Sequence, residues 1–368
     1  MATQRTALHE AHAALGARFT EFGGWEMPVR YGSIIDEHQA VRTVAGLFDL
    51  SHMGELHVGG PGAAAGLAAA LVTVPGRLAV GRAGYSLLCA TDGGVIDDLI
   101  VYRLGDEAFL VVPNAANREL VAEELRTRLA GFEAELDDRT LATSLVAIQG
   151  PRAATILAGL TSLDLSSLRN YSAVPATVAH IEAVVARTGY TGEDGFELYV
   201  EPSAAPGLWR AILDRGQAHD LVPAGLGARD TLRFEAGMSL YGHDIDNTTT
   251  PLEANLGWIV KFKKGDYIGR DVLERQKEEG VERKLVGFEM FERGIARHGY
   301  PVLLHEGDTE PVSHVTSGTQ SPTLGRALGM TYLPIEATEV GTEFFVQIRN
   351  RTAPARVVEM PFYSRKKD

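Results

Sequence analysis

The sequence predicts an α+β protein of more than one domain that closes in a small all-β domain. Three observations predict it. At 368 residues the chain exceeds what one hydrophobic core ordinarily serves, so two or three domains are expected. As far as Lys284, capped helical segments alternate with strand segments bounded by Gly, Pro, Asn and Asp. From Leu285 to Pro361 the pattern changes to short strands broken by Gly and Pro at close spacing.

Composition narrows the class. The chain is 45% hydrophobic and 23% charged, with 40 glycines, as in a globular protein. No run approaches the 18 or so apolar residues of a membrane span. The start, MATQRTALHEAHAALG, has no apolar signal core, and Glu10 with few serines argues against a transit peptide. The single cysteine, Cys89, excludes an intrachain disulfide and fits a reducing cytoplasm, the expected location. A net charge of −13 argues against general nucleic-acid binding. Arg365-Lys366-Lys367 makes one local basic patch at the end.

In order along the chain, Phe22–Pro28 is a Gly/Pro-bounded aromatic segment expected as a packed loop. Ser33, with Asp36 three residues on, caps a helix that Gly46 stops. Phe48–Val58 reads as one strand, and GGPGAAAG opens an alanine-rich helix. Gly60-Pro61-Gly62 only loosely matches a dinucleotide fingerprint, because no acid occurs between Glu55 and Asp92 to hold ribose hydroxyls. Gly84–Ala90 and Val95–Leu104 form a hairpin through Thr91-Asp92-Gly93-Gly94. Phe109–Pro113 is a strand, and Asn114 caps a helix ending at Gly131. Leu145–Gln149 is a strand, Ala204–Arg215 a helix with Leu208, Ile212 and Leu213 inward, and Pro223–Gly237 another helix. Gly269–Lys284 is a charged helical segment suited to linking domains.

Three places invite a chemical reading. Arg187–Val200, RTGYTGEDGFELYV, reads as a tight hairpin, with Phe196, Leu198 and Val200 on one face and Glu197 and Tyr199 on the other. Its polar face is either solvated or a site. In Val95–Leu104 both strand faces are apolar apart from Asp97 and Asp98, so at least one aspartate is expected to be buried. An unpaired buried carboxylate costs several kcal/mol, so it implies a partner or chemistry. Arg229 falls inside the apolar arc of its helix, where it either snorkels outward or reaches a carboxylate. Metal ligation is not expected: His243, Asp244 and Asp246 lack a second ligand cluster, and HExxH, CxxC and EF-hand patterns are absent. Cys89 reads as inert core.

Taken together, eight collinear blocks resemble the aminomethyltransferase, or T-protein, family of the glycine cleavage system. They are FGGWEMPVRY at 22–31, GLFDLSHMGE at 46–55, GGVIDDLIVYR at 93–103, RTGYTGEDGFELYV at 187–200, GLGARDTLRFEAGMSLYGHDID at 225–246, TTPLEANLGWIVKFKKGDYIGRDVL at 249–273, RGIARHGYPV at 293–302 and TSGTQSPTLG at 316–325. The resemblance implies a three-domain cloverleaf around a central folate site. Residues 1–50 and 140–275 would form a discontinuous first domain, 51–139 the second and 276–368 a C-terminal β-barrel. It implies transfer of an aminomethyl carbon from the lipoyl arm of a partner H-protein to tetrahydrofolate as co-substrate, with no metal, nucleic acid or membrane involved. The family's key aspartate corresponds to Asp98. Tyr85, Tyr102, Asn114, Tyr171, Tyr190, Glu197, Arg229 and Arg365 carry over as folate-site residues, Glu197 toward the pterin edge and Arg229 or Arg365 toward the glutamate tail. Tyr102 sits on the face of Asp98 roughly 13 Å further along the strand, which suits the two ends of one long ligand. Folate-binding relatives that act in iron–sulfur cluster assembly carry Lys-Gly-Cys-Tyr; here Lys264-Gly265-Asp266-Tyr267 lacks the cysteine. A folate-dependent demethylase shares the fold but needs no carrier protein.

Overall fold

The computed structural model describes residues 3–292 and 294–365, in two compact units. The first comprises 1–88, 97–230 and 264–267, and the second 89–96, 231–263 and 268–368. Lys366 and Lys367 of the terminal basic patch lie outside the described residues.

Two sheets organise the first unit. A six-stranded sheet runs in the spatial order Ala173–Val178, Ile181–Ala186, Gly195–Val200, Ser144–Gln149, Gly46–Asp49, Val222–Pro223. Its strands are antiparallel except for the last pair, where Val222 lies parallel to Gly46. Phe196, Leu198 and Val200 alternate with Glu197 and Tyr199, as a pleated strand requires. The first set packs into a core with Val146, Ile148, Leu208, Trp209 and Ile212. Helix Ala205–Gly216 supplies the last three through one apolar face, with Leu213 partly buried against the same cluster. The second sheet has five strands in the order Arg82–Cys89, Val95–Arg103, Ala108–Pro113, Leu56–Gly59, Glu135–Asp138. The Thr91–Gly94 turn closes with Gly94 N–H donating to Asp92 Oδ1 at 3.0 Å and Gly93 at φ 85°.

Three expectations need correction. Phe48–Val58 is two short strands, in different sheets. Between them the chain turns, with Ser51 N–H donating to Asp49 Oδ1 at 2.9 Å and Met53 N–H to Leu50 O at 2.9 Å. Asp49 is held there by Thr6 and His12, at 2.7 and 2.9 Å, which fixes it as a turn residue. The helix capped by Ser33 ends at Thr43, ahead of Gly46, which already begins a strand. Finally, Phe22–Pro28 is not a loop but part of an antiparallel ribbon of Arg18–Phe22 against Trp25–Arg30.

In the second unit, six strands between Arg283 and Val358 close into a barrel. Phe288 and Phe344 meet edge to face at 5.3 Å in its core. Gly329 lies against Phe288 so closely that a Cβ would stand 2.2 Å from the ring, which only glycine permits. Asp244, fully buried, accepts from Arg233 Nη1 at 2.5 Å and Thr316 Oγ1 at 2.6 Å. The His243–Asp246 loop is therefore a structural anchor. Helix Arg270–Glu279 belongs wholly to this unit, and Cys89 is buried.

Candidate active site

The first unit gathers eight of the nine nominated residues into two clusters joined by Arg229. The first cluster forms around Asp98. Strand Ala108–Pro113 ends opposite Leu99, so Asn114 emerges beside the aspartates. Asp98 Oδ2 accepts from Tyr85 Oη at 2.9 Å, and Oδ1 from Asn114 Nδ2 at 2.7 Å. Asp97 accepts from Asn114 N–H at 2.9 Å, from Asn114 Nδ2 at 2.9 Å and from Asn117 Nδ2 at 2.7 Å. Asp97 is 0% exposed, whereas Asp98 keeps partial access to solvent. Asn114 was expected to cap the following helix. Its side chain makes no cap; a 3₁₀ turn, Ala115–Asn117, starts there, and the helix proper begins at Arg118. Two carboxylates outcompete the helix end for the amide because charge-assisted bonds are the stronger.

The second cluster surrounds Glu197. Glu197 lies opposite Ala147, whose small side chain leaves room above the sheet. Its Oε2 accepts from Thr188 Oγ1 and, at 3.3 Å, from Tyr102 Oη. Tyr199 Oη donates to Tyr102 Oη at 3.2 Å, behind this pair. No protein donor among the described residues reaches Oε1. Phe48, Leu50, Tyr190, Glu197 and Arg229 line a small recess. Tyr171 is held at φ 57°, a conformation that strains a non-glycine residue by of order 1–3 kcal/mol, and its ring stays 41% exposed. Its backbone is pinned on both sides, donating to Arg187 O at 2.9 Å and accepting from Ala83 N at 2.8 Å.

Arg229 stacks its guanidinium 4.5 Å from the Tyr190 ring centroid. Its charge is felt at both carboxylates of the site. Burial pushes Asp98 and Glu197 upward, and the Arg229 charge opposes the rise at both. The same charge, after burial, holds His52 down at about 4, so that imidazole is neutral. His52 is 1% exposed, and its Nδ1 has no partner. Nothing in the residue types singled out His52 or Thr188, whereas alternation had already put Tyr199 on the face of Glu197; a histidine inside a strand pattern reads as core. Arg365 belongs to the second unit.

The expected tight hairpin is in fact a pair of strands joined by the longer connection 187–194. Arg187 closes its base, donating to Asp194 Oδ1 at 2.9 Å and Oδ2 at 2.6 Å. Arg42 holds the far side through Thr191 O at 2.6 Å and Glu193 Oε1 at 2.9 Å. Glu193 and Asp194 are thus ion-paired anchors rather than solvated turn residues. Gln149 fills the loop from below, donating to Thr188 O at 3.0 Å and accepting from Thr191 Oγ1 at 3.0 Å. Lys264 sits in a carbonyl cage of Ala68, Leu71 and Thr73, 4.3 Å from the Tyr267 ring centroid, so the Lys-Gly-Asp-Tyr stretch is structural here.

Among the described residues no group of three or more His, Cys, Asp or Glu side chains is placed to hold a metal ion. None of the helices among the described residues is long and apolar enough to cross a membrane.

A mixed two-sheet unit carrying this site, followed by a closed barrel, defines the class: the GCVT N-terminal domain matches residues 8–264 and the glycine cleavage T-protein C-terminal barrel domain residues 283–364. An aminomethyltransferase of Saccharopolyspora erythraea is 51% identical over 363 residues, 98% of each chain. One of Rubrobacter xylanophilus is 52% identical over 366 residues, 99% of this chain and 95% of its own. The crystal structure of glycine cleavage system aminomethyltransferase T from Bartonella henselae superposes with a TM-score of 0.91 at 34% identity, covering 98% of both chains. The chain belongs to the aminomethyltransferase (T-protein) family of the glycine cleavage system, a family of transferase enzymes.

Proposed function

We propose that this chain moves the methylene of an aminomethyl group from the lipoyl arm of an H-protein to tetrahydrofolate, releasing ammonia and leaving the arm reduced. The observation that carries the reading is one guanidinium, stacked on Tyr190, whose charge reaches two partly desolvated carboxylates, Asp98 and Glu197. A reduced folate is flat and edged with N–H groups at one end and anionic at the other. The open Oε1 of Glu197 suits the N–H edge, the Tyr190 and Tyr171 rings suit the flat faces, and Arg229 supplies positive charge. Arg365 remains part of this proposal as a cation for the glutamate tail, and Tyr102 acts by holding Glu197 in place.

The donor carbon enters bonded to sulfur and nitrogen and leaves bonded to two folate nitrogens. The two folate N–H protons pass to the departing ammonia and to the lipoyl sulfur, so no redox step is needed. Positive charge develops on the carbon as either bond breaks. Asp98, fixed by Tyr85 and Asn114, supplies an oriented negative charge to that carbon without reorganising during the step. The cytoplasm is the proposed location.

We also propose the division into 1–50 with 140–275, 51–139 and 276–368. Sheet membership supports the separation of 51–139, while the boundary at 275 falls inside helix Arg270–Glu279. The five-stranded sheet draws all its strands from Leu56 to Asp138, and the six-stranded sheet draws its own from Gly46–Asp49 and from Ser144 to Pro223.

Calorimetric titration with tetrahydrofolate tests the ligand assignment. Saturable, stoichiometric binding is expected, and absence of saturation would remove folate from the account.

A further inference from the structure

We propose that Asp97 and Asp98 act as one two-carboxylate unit bridged by the Asn114 amide, in which Asp97 is the positioning residue that keeps the pair singly charged. The inference deepens the functional reading above and rests on it for its kinetic test.

Adjacent residues of a strand point to opposite faces, so two neighbouring aspartates ordinarily keep their carboxylates apart. Here the neighbouring strand stops one rung early, and Asn114 turns into the gap. A single nitrogen, Asn114 Nδ2, lies 2.9 Å from Asp97 Oδ1, 2.7 Å from Asp98 Oδ1 and 3.0 Å from the Asp98 carbonyl. That amide has two hydrogens for three acceptors, so it serves both carboxylates only in part. Asp97 is buried completely, and among the described residues its donors are the Asn114 N–H and the Asn114 and Asn117 amides, with no cation paired to it. Asp98 faces the other groups of the site: the Tyr85 hydroxyl from the preceding strand and the Arg229 charge from helix Leu226–Glu235, with Tyr190 electrostatically coupled to Tyr85.

Two carboxylates this close cannot both ionise cheaply, and they titrate as a pair. Burial first, and then the Asp98 charge, push Asp97 far above the carboxylate range; burial also pushes Asp98 up, but its hydroxyl, amide and guanidinium neighbours oppose that. Burial and like charge therefore hold one proton on the pair, and Asp98 is the member open to the site. A second ionisation would set two like charges against one amide and loosen Asn114, which orients Asp98.

The test compares single-turnover transfer against pH for the wild type and Asp97→Asn. The wild-type rate should fall on the alkaline side as the pair loses its second proton. In Asp97→Asn that limb should disappear or move up by about one pH unit or more, with tetrahydrofolate affinity within about twofold of wild type. A purely structural Asp97 would lower the rate evenly and leave the limb where it was, which would overturn the proposal. Should Asp97→Asn not fold, carboxyl ¹³C NMR of the wild type and Asp98→Asn gives a readout free of activity. Removing the Asp98 charge should lower the Asp97 midpoint by about one unit or more. An unchanged midpoint contradicts the inference. Failure of the wild type to bind tetrahydrofolate would sink the functional reading while leaving this titration a valid test of the pair.

Discussion

Asp98 and Glu197 are both carboxylates raised by burial and both within the field of Arg229, yet their surroundings divide the work between them. Asp98 is held at each oxygen by one neutral donor, which orients the anion without neutralising it. Replacing it with Asn keeps the shape and removes the charge. Asp98→Asn should therefore bind tetrahydrofolate nearly as the wild type does and lose about 10²–10⁴ in single-turnover rate, the range that one positioned catalytic group supplies. Glu197 offers one open oxygen to a ligand, so Glu197→Ala should act on affinity. A charge-assisted hydrogen bond of about 1.5–3 kcal/mol corresponds to a calorimetric dissociation constant raised at least about tenfold. An unchanged constant would return Glu197 to a structural role. Glu55 makes a third case. It is 0% exposed, neither carboxyl oxygen has a partner, and burial raises it well above the usual range. A raised folded-state value means that stability is fully present below the unfolded value and is lost as pH rises toward the folded one. Urea midpoints should thus fall between pH 5 and 8 in the wild type by more than in Glu55→Gln, and parallel slopes would refute this.

At the scale of elements, the loop 187–194 carries the recess. Arg187 bridges Asp194 and also donates to Leu165 O at 3.2 Å and Leu168 O at 2.8 Å, so it ties the loop base to a second segment. Arg187→Ala should cost about 1–3 kcal/mol of stability and weaken tetrahydrofolate binding, because Tyr190 rides on this loop. Thermal unfolding and titration of the same sample check both. The limits of sequence reading appear in the same place. Alternation in Phe196–Val200 reports which side chains face the core, since burial enforces period two. It says nothing about where strand pairing stops, and pairing stops at Ala186 and Glu197 because Arg187, Arg42 and Gln149 claim groups of the loop beyond. Those partners are remote in the chain, and residue types alone do not pair them. The Ser33 cap and the Thr91–Gly94 turn were legible because their hydrogen bonds are local. Asn114 was misread for the converse reason: its helix-cap position is a local signal, but its amide answers to Asp97 and Asp98.

Over the whole molecule, the change of pattern at Leu285 marked an all-β terminal domain, which the structure closes into a barrel and so removes its strand edges. The two-carboxylate strand marked a buried aspartate, and burial leaves Asp97 0% exposed. Chemistry came from neither; it rests on a match that runs the length of the chain and on the arrangement around Arg229. The most direct test is ammonia release from aminomethylated, lipoylated H-protein, with each component left out in turn. The account predicts ammonia and 5,10-methylenetetrahydrofolate in equal amounts, only when both tetrahydrofolate and the loaded carrier are present, with the rate largely lost in Asp98→Asn. Turnover of free methylated amines without the carrier, or ammonia release undiminished in Asp98→Asn, would contradict it.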